Sequence, residues 1–193
     1  MSLSFLYIFA IALTFLQLAT GSPQPIDPTA DRDMYALYAT MLPDLSAGRR
    51  ATGPVVLQRE NELPPDSSSC SAMLASLTGE WADVAASFQR ENSRVRLLQP
   101  GAAMGGAYHL LPRAEIQADD ARLAAIDPRH SNSLREGAIE YIAFSAVGFN
   151  TAKTKALVYF RVRTARSLSD GMGMRELKEG RWDWGPRGCG GVA

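Results

Sequence analysis

The chain has very few of the side chains that hold metals or carry redox chemistry: two histidines and two cysteines among 193 residues. That scarcity excludes a zinc ribbon, an iron–sulfur cluster and a three-histidine metal centre. It also lacks an excess of either charge. Twenty Lys and Arg balance twenty Asp and Glu, so no general neutralisation of phosphates is available and a nucleic-acid binder is excluded, leaving room only for a local patch. The glycine-rich stretch at residues 100–106, Pro-Gly-Ala-Ala-Met-Gly-Gly, has no Lys-Ser/Thr to reach phosphate and magnesium, so it reads as a loop and no cofactor is expected. No Gly-x-Ser-x-Gly elbow occurs, and no repeat of 20 to 50 residues. What is present is 46% hydrophobic and 21% charged residues, the balance of a folded globular chain.

The strongest local signal is at the start. Residues 1–20 carry no charged side chain, and residues 3–18 form an apolar run broken only by Ser4, Thr14 and Gln17. Sixteen helical residues cover roughly 24 Å, short of the roughly 30 Å hydrocarbon layer. Ala19 and Gly21 supply small residues before a cut, and Pro23 and Pro25 break any helix that follows. The segmentation expected is a signal peptide at 1–21, a linker at 22–30 and one α+β domain at 31–193. The n-region lacks Lys and Arg, so an uncleaved anchor and a buried N-terminal helix are the alternatives, and membrane contact is expected only through that segment if it is uncleaved. No cysteine lies near the cut for lipid attachment. Localisation is therefore expected to be secreted or periplasmic, and in an oxidising compartment Cys70 and Cys189 become a candidate disulfide.

Further along, Met34, Leu37, Tyr38, Met41 and Leu42 trace one face of a helix over residues 31–42, which Pro43 should end. Residues 54–60 read as a short strand. Cys70, Met73, Leu74 and Leu77 share a helical face, and Trp81, Val84, Ala85 and Phe88 share another, on a helix capped by Thr78 and ending near Asn92. Tyr108 to Leu111 reads as a strand and Pro112 opens a helix to about Ile126. From Ala138 the period falls from 3.6 to 2, predicting one central strand through Phe149, apolar on both faces. A turn at 150–154 leads to a strand over 155–164, where Ala156, Val158, Phe160 and Val162 oppose Leu157, Tyr159, Arg161 and Arg163. A glycine-rich turn at 170–173 and a hairpin turn at 178–180 complete the pattern. The expectation is an α+β fold: N-terminal helices packed on a C-terminal antiparallel meander of about four strands.

Three strings in this last region, Phe144-Ser145-Ala146-Val147-Gly148-Phe149-Asn150, then Ala156-Leu157-Val158-Tyr159, then Gly180-Arg181-Trp182, resemble the C-terminal block of a family of uncharacterised bacterial exported proteins. The chain departs from that block in having no cysteine between its last strands. The resemblance implies export and a strand-rich C-terminus, and it carries no reaction with it.

Chemistry candidates are sparse. His109 and His130 are candidate general bases, with Ser145 or Ser67 to Ser69 as conceivable nucleophiles. Ser145 lies mid-strand rather than on a sharp turn, so a satisfied core serine is the simpler reading. Asp119 and Asp120 are adjacent on a helix and diverge by about 100°. Glu140 sits among apolar neighbours, where pairing with an arginine is expected. Arg161, Arg163 and Arg166, with Arg175 and Lys178 nearby in sequence, give the last strands a basic face, and Trp182 and Trp184 share a face at period two. Arginine and tryptophan together suit a protein partner, a glycan or an anionic envelope polymer. The expected function is a non-enzymatic exported binding domain using Arg161, Arg163, Trp182 and Trp184. The alternative is an exported hydrolase using His109 or His130.

Overall fold

A computed structural model describes residues 23–26, 31–47, 54–63, 69–100, 108–126, 139–164 and 167–192. The expected signal segment, His130, Arg166, Ser67, Ser68 and residues 101–107 lie outside the described residues. The elements in chain order are β1 (Gln24–Pro25), α1 (Arg32–Ser46), β2 (Val55–Gln58), α2 (Ser69–Ser76), α3 (Glu80–Glu91), β3 (Arg96–Leu97), β4 (Tyr108–Leu111), α4 (Arg113–Ile126), β5 (Tyr141–Phe144), β6 (Gly148–Phe149), β7 (Lys155–Arg163), β8 (Leu168–Lys178) and β9 (Arg181–Val192).

A seven-stranded sheet runs β4-β2-β5-β7-β8-β9, with β6 paired on β7. α1 lays Met34, Leu37, Tyr38, Met41 and Leu42 over one face, against Ile142, Phe144, Ala156, Val158 and Val162. The opposite face is covered by α2 and α3, whose Cys70, Val84 and Phe88 meet Leu157, Tyr159, Met172 and Met174, and by α4, whose Ile116 meets Tyr141 and Ala143. The class is α+β as expected, but the sheet is mixed. β2 is parallel to both β4 and β5, while β5, β7, β8 and β9 are antiparallel neighbours. A four-stranded antiparallel meander is therefore not the architecture, because two N-terminal strands join the same sheet through long crossovers.

Several local expectations change with this context. Pro43 lies inside α1, which runs to Ser46; one lost intrahelical bond does not outweigh the packing of the apolar face. Thr78 is not the cap of α3, because Gly79 holds that position at φ 60°. The single strand over 138–149 is broken into β5 and β6, and the break is satisfied by side chains. Asn92 accepts the Ala146 N–H at 2.8 Å and donates to the Ala146 carbonyl at 2.9 Å. The glycine-rich turn at 170–173 is instead the interior of β8, where the missing side chains make room for neighbours: a Cβ at Gly173 would sit 2.7 Å from the Trp184 ring. The segment expected to be a linker is partly structured. Gln24–Pro25 pairs in parallel with Arg96–Leu97, and Ile26 is fully buried.

Other expectations match. Asn150 accepts the N–H groups of Thr154 and Lys155 at 2.8 and 2.9 Å, forming the turn. Lys178 pairs with Arg181 across a two-residue loop whose Glu179 and Gly180 both have positive φ, the geometry that a twisted hairpin requires. Cys70 and Cys189 form a disulfide with a Cα separation of 5.2 Å.

Candidate functional site

Alternation along β7 sends Arg161 and Arg163 to the face covered by α4, because they follow Leu157 and Tyr159, which pack under α3. Trp184 pairs with Arg175, which pairs in turn with Ala156, and Ala156 belongs to the face covered by α1. Trp182 packs on Phe149 at 5.8 Å on that same side. The two arginines and the two tryptophans therefore lie on opposite faces of the sheet and form no common surface.

Neither arginine is a free cation. Arg163 is buried and its guanidinium is paired with Asp120 of α4. Arg161 donates through Nη1 to Glu62 Oε1 at 2.5 Å, and its Nη2 lies 3.7 Å from Asp170. Glu62 is the hub of this group. Its Oε2 also accepts Arg113 Nη2 at 3.0 Å and Gln58 Nε2 at 3.0 Å. Arg113 is held in turn by donating to the Asn61 carbonyl at 2.7 Å, while its backbone N–H reaches Glu60 Oε2 at 2.6 Å. Above this network is an open cleft of about 300 Å³ lined by Gln58, Glu62, Arg113, Gln117, Tyr141 and Arg161, among others. Its size is at the low end of small-ligand sites.

The electrostatics follow from these pairings. Burial alone would lower the Arg161 pKa, but the Glu62 charge and the flanking tyrosines raise it, so the guanidinium stays charged. Tyr141 is pushed up by burial. Tyr159 is pushed up by burial and by its hydrogen bond to Asp170, 2.8 Å away. Both phenols remain neutral donors, and donors and acceptors are interleaved in and around the cleft.

His109 is exposed on the edge strand β4, opposite Val56, and is not among the cleft's lining residues. Ser145 is fully buried, with its Oγ accepting the Tyr159 N–H and donating to the Ala146 carbonyl, both at 2.8 Å. It is a satisfied core serine and not a nucleophile. Asp119 bonds Arg122 and the Ile139 N–H, whereas Asp120 takes Arg163; the two carboxylates diverge as helical neighbours must. Glu140 precedes β5 and is half-buried. Among the described residues no group of three His, Cys, Asp or Glu could hold a metal.

On the other face, Arg175 is 2% exposed beneath Trp184, whose ring centroid is 3.2 Å from the guanidinium carbon. Burial pushes the Arg175 pKa down to about 10, against the pull of Asp44 and Asp183. Trp184 is 47% exposed, and its Nε1–H reaches Asp44 Oδ2 at 3.4 Å.

Sequence reasoning missed Gln58, Glu62 and Arg113 as site residues. Their one local signal is position: Gln58 ends β2, Glu60-Asn61-Glu62 follows it, and Arg113 stands two residues after β4. Polar residues just beyond the carboxyl ends of parallel strands are where such sheets place their clefts. Comparison with protein-family models, with curated proteins and with solved structures finds no match.

Proposed function

We propose that this protein is a non-enzymatic binding domain of an exported compartment, secreted or periplasmic, and that the cleft around Glu62, Arg113 and Arg161 is where it takes its ligand. The observation that carries this reading is that each guanidinium of the cleft is held by a carboxylate, so the donors are prealigned and their charge is already compensated. A strongly anionic polymer would gain little from such a site. A neutral, hydroxyl-rich ligand gains most, because each hydroxyl can donate to a carboxylate and accept from a guanidinium at once. A glycan is the partner class that fits. For His109, binding is favoured over the hydrolase alternative, because His109 stands apart from the cleft and a general base must come within hydrogen-bond reach of its partner; His130, the alternative's other candidate, lies outside the described residues.

The test is a solution binding screen of the purified chain against envelope saccharides. Arg113 is the substitution of choice because its side chain is 39% exposed, so Arg113→Ala disturbs the core least. The expected result is a loss of about 30-fold, the size of a true hot spot. A hit unaffected by Arg113→Ala would remove the cleft from consideration. Hydrolysis abolished by His109→Ala would transfer the reading to the alternative.

The export half of the proposal has its own measurement. The mature chain is expected to begin near Ser22, which intact-mass analysis of exported protein reads directly. A full-mass chain retained in the membrane fraction would overturn it.

A further inference from the structure

Arg175 stands out among the buried and half-buried arginines. Arg96 is paired with Glu91 at 2.6 Å and Asp31 at 3.2 Å, Arg161 with Glu62, and Arg163 with Asp120. Arg175 has no ion pair among the described residues, and two of its nitrogens, Nε and Nη2, are buried without a hydrogen-bond partner. In the other three only Nε is left over. Nε and Nη2 together form one edge of the guanidinium, two parallel N–H donors at the spacing of two oxygens on a single atom. A buried cation that feels Asp44 and Asp183 only at a distance, with no ion pair among the described residues, is costly.

The covering layer is lightly held. Trp184 lies over the guanidinium, is itself half exposed, and has a long hydrogen bond to Asp44. It belongs to β9, which occupies one end of the sheet order, and the β8–β9 register is irregular between Gly173 and Arg175. A shift of register of this kind can re-aim a side chain beside a site, as β-bulges do.

We infer that Arg175 is the base of a second binding site, covered by Trp184, for an oxyanion that presents two oxygens to the Nε–Nη2 edge, a carboxylate or a phosphate group. The tryptophan swings aside on binding, and the oxyanion supplies the direct hydrogen-bonded ion pair that Asp44 and Asp183 do not make. This site is on the opposite face from the cleft and does not depend on the cleft's reading.

The experiment is thermal unfolding of the full chain in acetate or inorganic phosphate, against chloride at matched ionic strength. The expected result is a rise of about 4 °C for each tenfold of the effective anion above its dissociation constant. Phosphate alone raising the midpoint identifies a phosphate site; acetate alone identifies a carboxylate site. Trp184→Ala should respond at lower concentration, and Arg175→Met should fold and lose the response. Arg113→Ala should keep it, which separates failure of this inference from failure of the cleft. No response in either the wild type or Trp184→Ala, or a response that survives in Arg175→Met, would overturn the inference. If Arg175→Met does not fold, protection of Arg175 from phenylglyoxal by the same anions, read by peptide mass in the wild type, decides: protection supports the site and its absence rejects it.

Discussion

Replacing both Cys70 and Cys189 by serine is expected to lower the thermal midpoint by on the order of 10 °C, the largest effect of any change considered. The bridge closes a loop of 119 residues, for which loss of unfolded-chain entropy gives about 4 to 5 kcal/mol as an upper figure, and each kcal/mol moves the midpoint of a chain this size by about 2 to 4 °C. The structure also says where the loss is felt. α2 has eight residues, too few to be stable alone, and Cys70 is its buried anchor. The far end of β9 is glycine-rich, with little side chain to pack. Hydrogen exchange should therefore quicken first in α2 and around residues 188–192. Equal midpoints for the native chain and the double variant would reject this account, as would free thiols on both residues in the native protein.

Gly148→Ala should destabilise by about 3 kcal/mol, at the upper end of the overpacking range. A Cβ at this position would lie 2.4 Å from the Phe88 nitrogen and 2.6 Å from its Cα. Those are backbone atoms of α3, so relief requires the helix itself to move away from β6. The displacement would also pull on Asn92, which ties α3 to the strand break by donating to the Phe88 carbonyl at 2.8 Å and bonding Ala146. Gly180→Ala is the control: nothing lies within 4 Å of its Cβ position, and only its φ of +79° is unfavourable, worth about 1 kcal/mol. Denaturant unfolding of the two variants compares them directly. A Gly148→Ala loss no greater than that of Gly180→Ala would show that α3 and β6 do not approach this closely.

The site was less legible than the elements around it, for a reason visible in particular residues. Arg161 and Arg163 stand on one face of a strand in the sequence pattern, and they do so in the fold. That they are paired is not legible locally, because their partners, Glu62 and Asp120, are 99 and 43 residues away, and nothing local marks a carboxylate as the mate of a distant arginine. Trp182 and Trp184 do share a face, the one opposite to the arginines. Alternation gives relative facing within a strand, but facing between strands depends on register, and the β8–β9 pairing shifts between Gly173 and Arg175.

Features that depend on neighbours a few residues apart are legible in the pattern alone. The helical stripes of α1 and α3, the alternation of β7, the turn built by Asn150 and the hairpin at Glu179-Gly180 follow from local sterics and periodicity, and they appear where the pattern put them. The candidate disulfide followed from a cysteine count of two together with the export expected from the first twenty residues. The parallel pairing of β2 with β4 and β5, the breaking of the 138–149 strand at Ser145, and the gathering of Gln58, Glu62, Arg113 and Arg161 around one cleft arise instead from contacts between distant parts of the chain. Those outcomes depend on long crossovers and on pairings between charges far apart in the chain, where the free energy lies in packing and compensation that no short window of sequence contains.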